Sequence, residues 1–150
     1  MRDFMEQALE QARHAAARGE VPVGAVLVRD GRVLAAAGNR VEELADPTAH
    51  AEVLVLRAAA AGLGTARLTG CDLYVSLEPC PMCAAAISLA RLRRLVFAAY
   101  DPKSGGTEHG ARIFDHATCH HRPEVVGGVR EAEAAALLRT FFQDRRGEHS

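Results

Sequence analysis

Two short segments constrain this chain more than any other part of it: His50-Ala51-Glu52 and Pro79-Cys80-Pro81-Met82-Cys83. Each opens a run with helical pattern, and twenty-nine residues separate His50 from Cys80. A fold that sets the two helix N-termini side by side brings one imidazole and two thiols to a single point. The unpaired N–H groups and positive dipole end of each helix favour thiolate there. Taken alone, Cys80-x-x-Cys83 suits a structural knuckle or a redox pair as readily as a metal site, and a lone His50 reads as an ordinary solvated histidine. Taken together, one His and two Cys fit a catalytic zinc, which keeps its fourth position for water, whereas structural zinc takes four protein ligands. A structural site would need Cys71, Cys119, His120 or His121 as the fourth. Glu52, two residues past His50, is placed to move protons to and from that water. Lowering a water's pKa from 15.7 to roughly 7 is worth up to about 12 kcal/mol at 1.36 kcal/mol per unit. A positioned acid–base group adds roughly 3–5 kcal/mol.

At 150 residues the chain has the size of one ordinary domain, expected to span 1–150. Its 49% hydrophobic and 25% charged residues are a globular composition, unlike that of disordered or collagen-like chains. Eighteen Lys and Arg against nineteen Asp and Glu give a net charge of -1. That balance excludes a protein that holds nucleic acid through a broad basic surface. Five Phe, two Tyr and no Trp are too few for an extended base-stacking platform, so any nucleic acid is held at a few points. No apolar run approaches the ~18 residues that span a bilayer, and no membrane partner is expected. The polar start Met1-Arg2-Asp3-Phe4-Met5-Glu6-Gln7 reads as no export signal. The expected compartment is the cytoplasm, where a close cysteine pair points to metal or redox chemistry and not to a disulfide.

Phe4 to Arg18 places Phe4, Met5, Ala8, Leu9, Ala12, Ala15 and Ala16 at helical spacing, with Gly19 as the stop. Gly24 to Val28, the Asp30-Gly31 turn and Val33 to Ala37 predict a hairpin, because Asp-Gly supplies the positive φ values of tight turns. A helix follows from Ala49 to Ala61, N-capped by Thr48 and closed by Gly62. Then come a strand at Asp72 to Ser76, a helix at Met82 to Ala90 and a strand at Leu95 to Ala99. Asp101 to Pro123 reads as a long loop with one short helical turn, and loops of that length are usually functional. Glu124 to Val126 adds a short strand and Ala132 to Arg146 the last helix. Helices alternating with strands after a hairpin predict a three-layer α/β/α sandwich, a mixed central sheet with helices on both faces.

The pattern His-x-Glu followed by Pro-Cys-x-x-Cys is the zinc-deaminase signature, and the chain resembles the bacterial tRNA adenosine deaminases of the cytidine-deaminase fold. The resemblance runs through Glu20 to Val28, Gly38-Asn39-Arg40, Asp46 to Glu52, Leu73 to Cys83, Ala99 to Gly105 and Leu137 to Arg146. It implies His50, Cys80 and Cys83 as ligands of one Zn2+ per subunit and Glu52 as the catalytic proton shuttle. It also implies substrate contacts from Val23, Gly24, Ala25, Asn39, Leu77, Glu78, Asp101 and Lys103, and RNA contacts from Phe141, Phe142, Arg145 and Arg146. The implied reaction is hydrolytic deamination of the wobble adenosine of a tRNA anticodon stem-loop to inosine with release of ammonia, carried out by a homodimer. The alternative on the same fold is a deaminase of a free base or nucleoside such as cytosine, guanine or cytidine.

Several of these residues have a plainer reading. Phe141 and Phe142 on an amphipathic last helix suit a core, and Arg145 and Arg146 suit a solvated helix end. Arg91, Arg93 and Arg94 read equally as a phosphate patch or a solvated surface. His109, His116, His120 and His121 read as loop surface. Glu108-His109-Gly110 departs from the Gly-Ser of many relatives, and Glu108 would repel a phosphate beside it. Gly105 to Gly110 is no nucleotide-phosphate loop, because Ala111-Arg112 stands where Lys-Ser/Thr is required.

Overall fold

The computed structural model describes residues 3–148. The hairpin forms from β1 (Gly24–Arg29) and β2 (Arg32–Gly38), turning at Asp30 and Gly31 with φ of 50° and 75°. β3 (Asp72–Leu77) lies antiparallel to β1, and β4 (Arg94–Ala99) and β5 (Glu124–Val126) extend the sheet in parallel, giving the order β2-β1-β3-β4-β5. The sheet is mixed, as the alternation of elements predicts.

Alternation along each inner strand divides the core into two layers. Ala25 and Leu27 of β1, Leu73 and Val75 of β3, and Leu95 and Phe97 of β4 face α3 (Ala51–Leu63) and α4 (Pro81–Ala90). Val26, Val28, Val96 and Ala98 face α1 (Phe4–Ala17) and α5 (Glu131–Glu148). Strands covered on both faces read as continuous apolar runs, which is why Gly24–Val28 and Leu95–Ala99 carry almost no polar residue. Among the described residues, no helix is long and apolar enough to cross a membrane.

The boundaries differ from expectation at informative places. His50, with φ -73° and ψ 148°, is the N-cap of α3 in place of Thr48. The Thr48 N–H and hydroxyl instead both donate to Asp46 Oδ1, at 2.8 and 2.7 Å, in a local turn. α3 runs through Gly62 and ends at Gly64, whose φ of 69° suits the left-handed cap. Pro81 is the first residue of α4, where its missing N–H costs nothing. A four-residue helix, α2 (Val41–Leu44), interrupts the segment before α3. The long loop contains one 3-10 turn at Ile113–Asp115, and α5 is longer than predicted at both ends.

Helix α1 lies directly on the hairpin. A Cβ at Gly24 would meet the Ala8 carbonyl oxygen, and would come within 2.5 Å of the Ala12 nitrogen. Both blocking atoms are backbone, so neither can swing aside. Gly24→Ala is therefore expected to lower stability by roughly 3 kcal/mol. Gly62→Ala, in a helix with open space around the new carbon, should raise it by about 0.5–1 kcal/mol. Urea midpoints at constant slope measure both, and equal shifts would refute the close approach of α1.

Candidate active site

The ends of α3 and α4 meet at the mouth of the sheet, where β3 leads through Leu77-Glu78-Pro79 into α4. His50 and Cys80 are the N-caps of their helices, and neither side chain is used for capping. The α3 cap is supplied from elsewhere: Asn39 Oδ1 accepts the Ala51 N–H at 2.8 Å. His50 Nδ1 stands 3.6 Å from Cys80 Sγ and 3.4 Å from Cys83 Sγ. These three residues are the metal-competent group found among the described residues, with all ligand atoms within 4.8 Å of one another.

The donor set fits zinc. With Zn–S of about 2.3 Å and Zn–N of about 2.0–2.1 Å, an N···S edge of a tetrahedron is about 3.6 Å, and both observed separations match it. None of the four cysteines is in a disulfide. Cys71 lies by the Thr69 carbonyl, and Cys119 by Ser88 Oγ at 3.3 Å and the His121 carbonyl at 3.2 Å. None of Cys71, Cys119, His120 and His121 belongs to the group that could hold the ion, and the set of three is that of a metal with an open position.

Charge is already arranged for a cation. The hydrogen bond from Cys83, helped by His50, holds the Cys80 thiol down to about 4, against the opposing effect of burial. The same hydrogen bond and burial push the Cys83 thiol up, so the pair shares one proton that a divalent ion would displace. His50 is raised, chiefly by its hydrogen bond with Cys80. Glu52 is 4% exposed, and burial pushes its carboxyl up to about 7. A carboxyl moved toward neutrality by its surroundings can both take and give a proton, the property a shuttle needs.

These groups lie in a cavity of about 360 Å³, within the range of small-molecule sites. His50, Glu52 and Cys80 are joined there by Val23, Asn39, Leu77 and Asp101 from the expected substrate set, and by Phe141, Phe142 and Arg145 from the expected RNA set. Glu78 borders the cavity, but its side chain has no exposed surface and its carboxylate is turned to the 101–109 loop, so it does not make the expected substrate contact. Because Asn39 Oδ1 is engaged with Ala51, its amide nitrogen is the end left to donate to a ligand. Gly24 and Ala25 do not line the cavity. The Gly24 N–H donates to Ser76 Oγ at 3.0 Å, and Ala25 is fully buried in the core. Lys103 and Arg146 are exposed outside it.

Arg145 donates to the Gly19 carbonyl and lies over the Phe141 ring, 4.4 Å from its centroid. It ties the last helix to the cavity mouth. Val21, Val41, Glu42, Ser104 and Glu20 also line the cavity; Glu20, Val21 and Ser104 fall within the segments of resemblance without being marked as contacts, and no sequence pattern marks out Val41 or Glu42. Glu20 is buried, and its carboxylate accepts the Glu42 and Glu43 N–H groups at 3.1 and 2.9 Å, capping α2 from twenty residues away.

Other charged residues have local partners. Arg93 pairs with Asp72 through two bonds of 2.9 and 2.6 Å, and Arg94 pairs with Glu124 at 3.0 Å. Two of the loop histidines, His116 and His121, act as struts, while His120 is exposed. His116 Nε2 reaches the Ala111 carbonyl at 2.6 Å, and His121 Nε2 reaches the Leu92 carbonyl at 2.7 Å.

An α/β/α sandwich with these donors at two adjoining helix N-termini defines a zinc-dependent deaminase. Residues 1–99 match the cytidine and deoxycytidylate deaminase zinc-binding region. The tRNA-specific adenosine deaminase of Agrobacterium fabrum is 59% identical over 143 residues, 95% of this chain and 94% of that protein. That of Bacillus subtilis is 45% identical over 95% of this chain and 89% of its own length. A solved tRNA:A34 deaminase, studied for A-to-I editing at the wobble position, is 60% identical with a TM-score of 0.89, covering 90% of this chain and 98% of that one. A guanine deaminase from Nitrosomonas europaea is 29% identical with a TM-score of 0.79, covering 92% and 82%. The chain belongs to the cytidine and deoxycytidylate deaminase family, and within it to the tRNA-specific adenosine deaminases.

Because the three donors act as one site, Cys80→Ser and Cys83→Ser should each lower bound zinc from about one equivalent to less than about a tenth. Metal analysis of the purified proteins measures this. Full zinc content in either variant would remove that cysteine from the ligand set.

Proposed function

We propose that this protein converts the wobble adenosine of a tRNA anticodon stem-loop to inosine by zinc-dependent hydrolysis, with water consumed and ammonia released. The observation that carries the reading is the buried Glu52 carboxyl beside the His50, Cys80 and Cys83 donors, at the base of a cavity of nucleoside size. Residues 1–150 act as one deaminase domain.

His50, Cys80 and Cys83 would hold the zinc, which when bound would supply a water acidic enough, at roughly pKa 7, for addition to C6 of adenine near neutral pH. Glu52 takes the proton that this water gives up and delivers it to N1. It then carries the proton of the new C6 hydroxyl to the exocyclic nitrogen, and as the C6–O double bond forms the C6–N bond breaks and ammonia departs. One carboxylate serves both transfers because it alternates between base and acid. Asn39, fixed by its bond to Ala51, presents an amide N–H to a ring acceptor of the purine. Leu77 and Val23 give the base apolar walls, and Phe141 and Phe142 close the mouth against water. An anticodon loop lowers the cost of extruding the base because its nucleotides are already unpaired.

The thiols, none of them in a disulfide, suit the reducing cytoplasm. Leu89 is 64% exposed and Met82 37% exposed on α4, the helix that carries Cys80 and Cys83, and we assign this apolar face to the interface of a homodimer.

Glu52→Ala should reduce inosine formation in an anticodon stem-loop by about 10²–10⁴-fold while zinc and fold are retained. Unchanged turnover would refute the shuttle. Ammonia release from free guanine, cytosine or cytidine with none from the stem-loop would replace the RNA substrate with a free base or nucleoside. For the dimer, light scattering should find two chains per particle in the native protein and one in Leu89→Asp. A native monomer at working concentration would overturn the interface.

A further inference from the structure

Glu78 stands two residues before Cys80, and its side chain has no exposed surface. Its carboxylate nevertheless has more partners than any other in the described chain. Oε1 accepts the Asp101 N–H at 3.0 Å and the His109 Nδ1–H at 2.8 Å. Oε2 accepts the N–H groups of Thr107, Glu108 and His109 at 3.3, 3.0 and 2.9 Å, and the Thr107 hydroxyl at 3.2 Å. Three successive backbone N–H groups turned on one oxygen form an anion nest. The nest is filled from within the chain, so it takes no phosphate, and the Glu108 side chain has none to repel.

The contact joins the two sides of the cavity. On one side the Gly106 N–H donates to the Pro79 carbonyl at 2.7 Å, and a Cβ at Gly105 would collide with Glu78 Oε2 itself. The loop therefore lies against the turn that presents Cys80. On the other side Asp101 Oδ1 accepts the Lys103 and Ser104 N–H groups at 3.2 and 3.0 Å, and the Asp101 carbonyl accepts the Gly105 N–H at 2.9 Å. This closes residues 101–105 into one tight turn. Asp101 and Ser104 line the cavity, and Lys103 stands exposed beside them. The Asp101 N–H bond fixes the turn at its start, and the bonds to 107–109 fix it just past its end.

We propose that Glu78 is a positioning residue for RNA binding: its buried carboxylate holds the Asp101–Gly105 turn rigidly against the Cys80 turn, so that Lys103 and Ser104 meet the nucleotides flanking the reacting base. This rests on the RNA-deaminase reading above. Glu78 itself touches neither the reacting atoms nor the metal donors, so the effect falls on substrate binding and not on the chemical step.

The test compares the zinc-loaded native protein with Glu78→Gln and Thr107→Val, measuring zinc content, kcat and KM on an anticodon stem-loop, and stem-loop affinity by fluorescence anisotropy. Gln keeps the volume but turns an NH2 group toward backbone donors, leaving at least one set unsatisfied. Expected for Glu78→Gln is full zinc, kcat within about threefold, and KM and Kd raised about tenfold. Thr107→Val removes one of the six donors and should raise both by about threefold at unchanged kcat. Unchanged KM and Kd, a fall in kcat without a rise in KM, or loss of zinc would each overturn the proposal. If Glu78→Gln does not fold, Thr107→Val decides alone. A native protein that makes no inosine would defeat the RNA-deaminase reading instead, and the anisotropy series would still report on the turn.

Discussion

Everything at this site depends on two helices beginning at the same place. His50 and Cys80 lie far apart in sequence, yet each is the cap of a helix whose far side is buried in the same core layer. Once a metal ion displaces the shared proton, two like charges roughly 4 Å apart would repel by about 4 kcal/mol in a protein-like medium. Burial of Val55, Leu56, Ile87 and Phe97, which lock α3 and α4 to the sheet, contributes roughly 6–12 kcal/mol at 1.5–3 kcal/mol per side chain. The apolar layer therefore holds the ligands in register, and the cluster's own electrostatics need not. Asn39 completes the arrangement by capping α3 with its side chain. That leaves His50 free to turn its ring toward the sulfurs.

The same economy of backbone donors recurs around the cavity. Asn39 caps α3, Glu20 caps α2, and Glu78 fills the nest of the 107–109 loop. All three side chains come from a different element than the one they stabilise, and all three border the cavity. For Glu78, burial alone would push the carboxyl up. The N–H groups of Asp101, His109 and Glu108 and the His109 ring outweigh it and hold the group below its ordinary value. A carboxylate that stays ionised while buried is a strong anchor, since breaking its bonds leaves a desolvated charge without partners.

How much of this is legible in the sequence follows from the range of each signal. The apolar runs of β1, β3 and β4 and the spacing of α1 are local patterns, so the three-layer architecture follows from them. The metal donors are legible because a fixed chemistry demands fixed residue types at short spacing. Thr48 misleads as a cap because Asp46, two residues earlier, competes for its hydroxyl. α2 is too short for any period to show, and Glu20 caps it across more than twenty residues. His116 and His120 are exposed, as a loop-surface reading expects, whereas nothing in Thr107 to His121 shows that half-buried His121 meets the Leu92 carbonyl or that His109 meets Glu78. Gly24 and Ala25 sit within a motif that points to the cavity, but of these neighbours only Val23, just before β1, reaches it: the Gly24 N–H is taken by Ser76 Oγ and Ala25 is fully buried in the core.

A net charge of -1 gains meaning once the partners are known. Arg13, Arg40, Arg93, Arg94, Arg122 and Arg130 each pair with a carboxylate, and Arg145 is held by Gly19 and Phe141. Lys103 and Arg146 are exposed, one on the turn beside the cavity and the other near the end of the helix that covers its mouth. Counterion release scales with the number of phosphates neutralised, so a chain whose basic and acidic residues nearly cancel, with six arginines held in ion pairs, gains little affinity from phosphates. Discrimination must then come from the enclosed part of the site. Only a base that leaves its stack can reach Glu52 and the donors beside it, and only a turn held in place can meet the nucleotides around that base. A small electrostatic footprint and a rigid, internally anchored rim are consequences of the same arrangement.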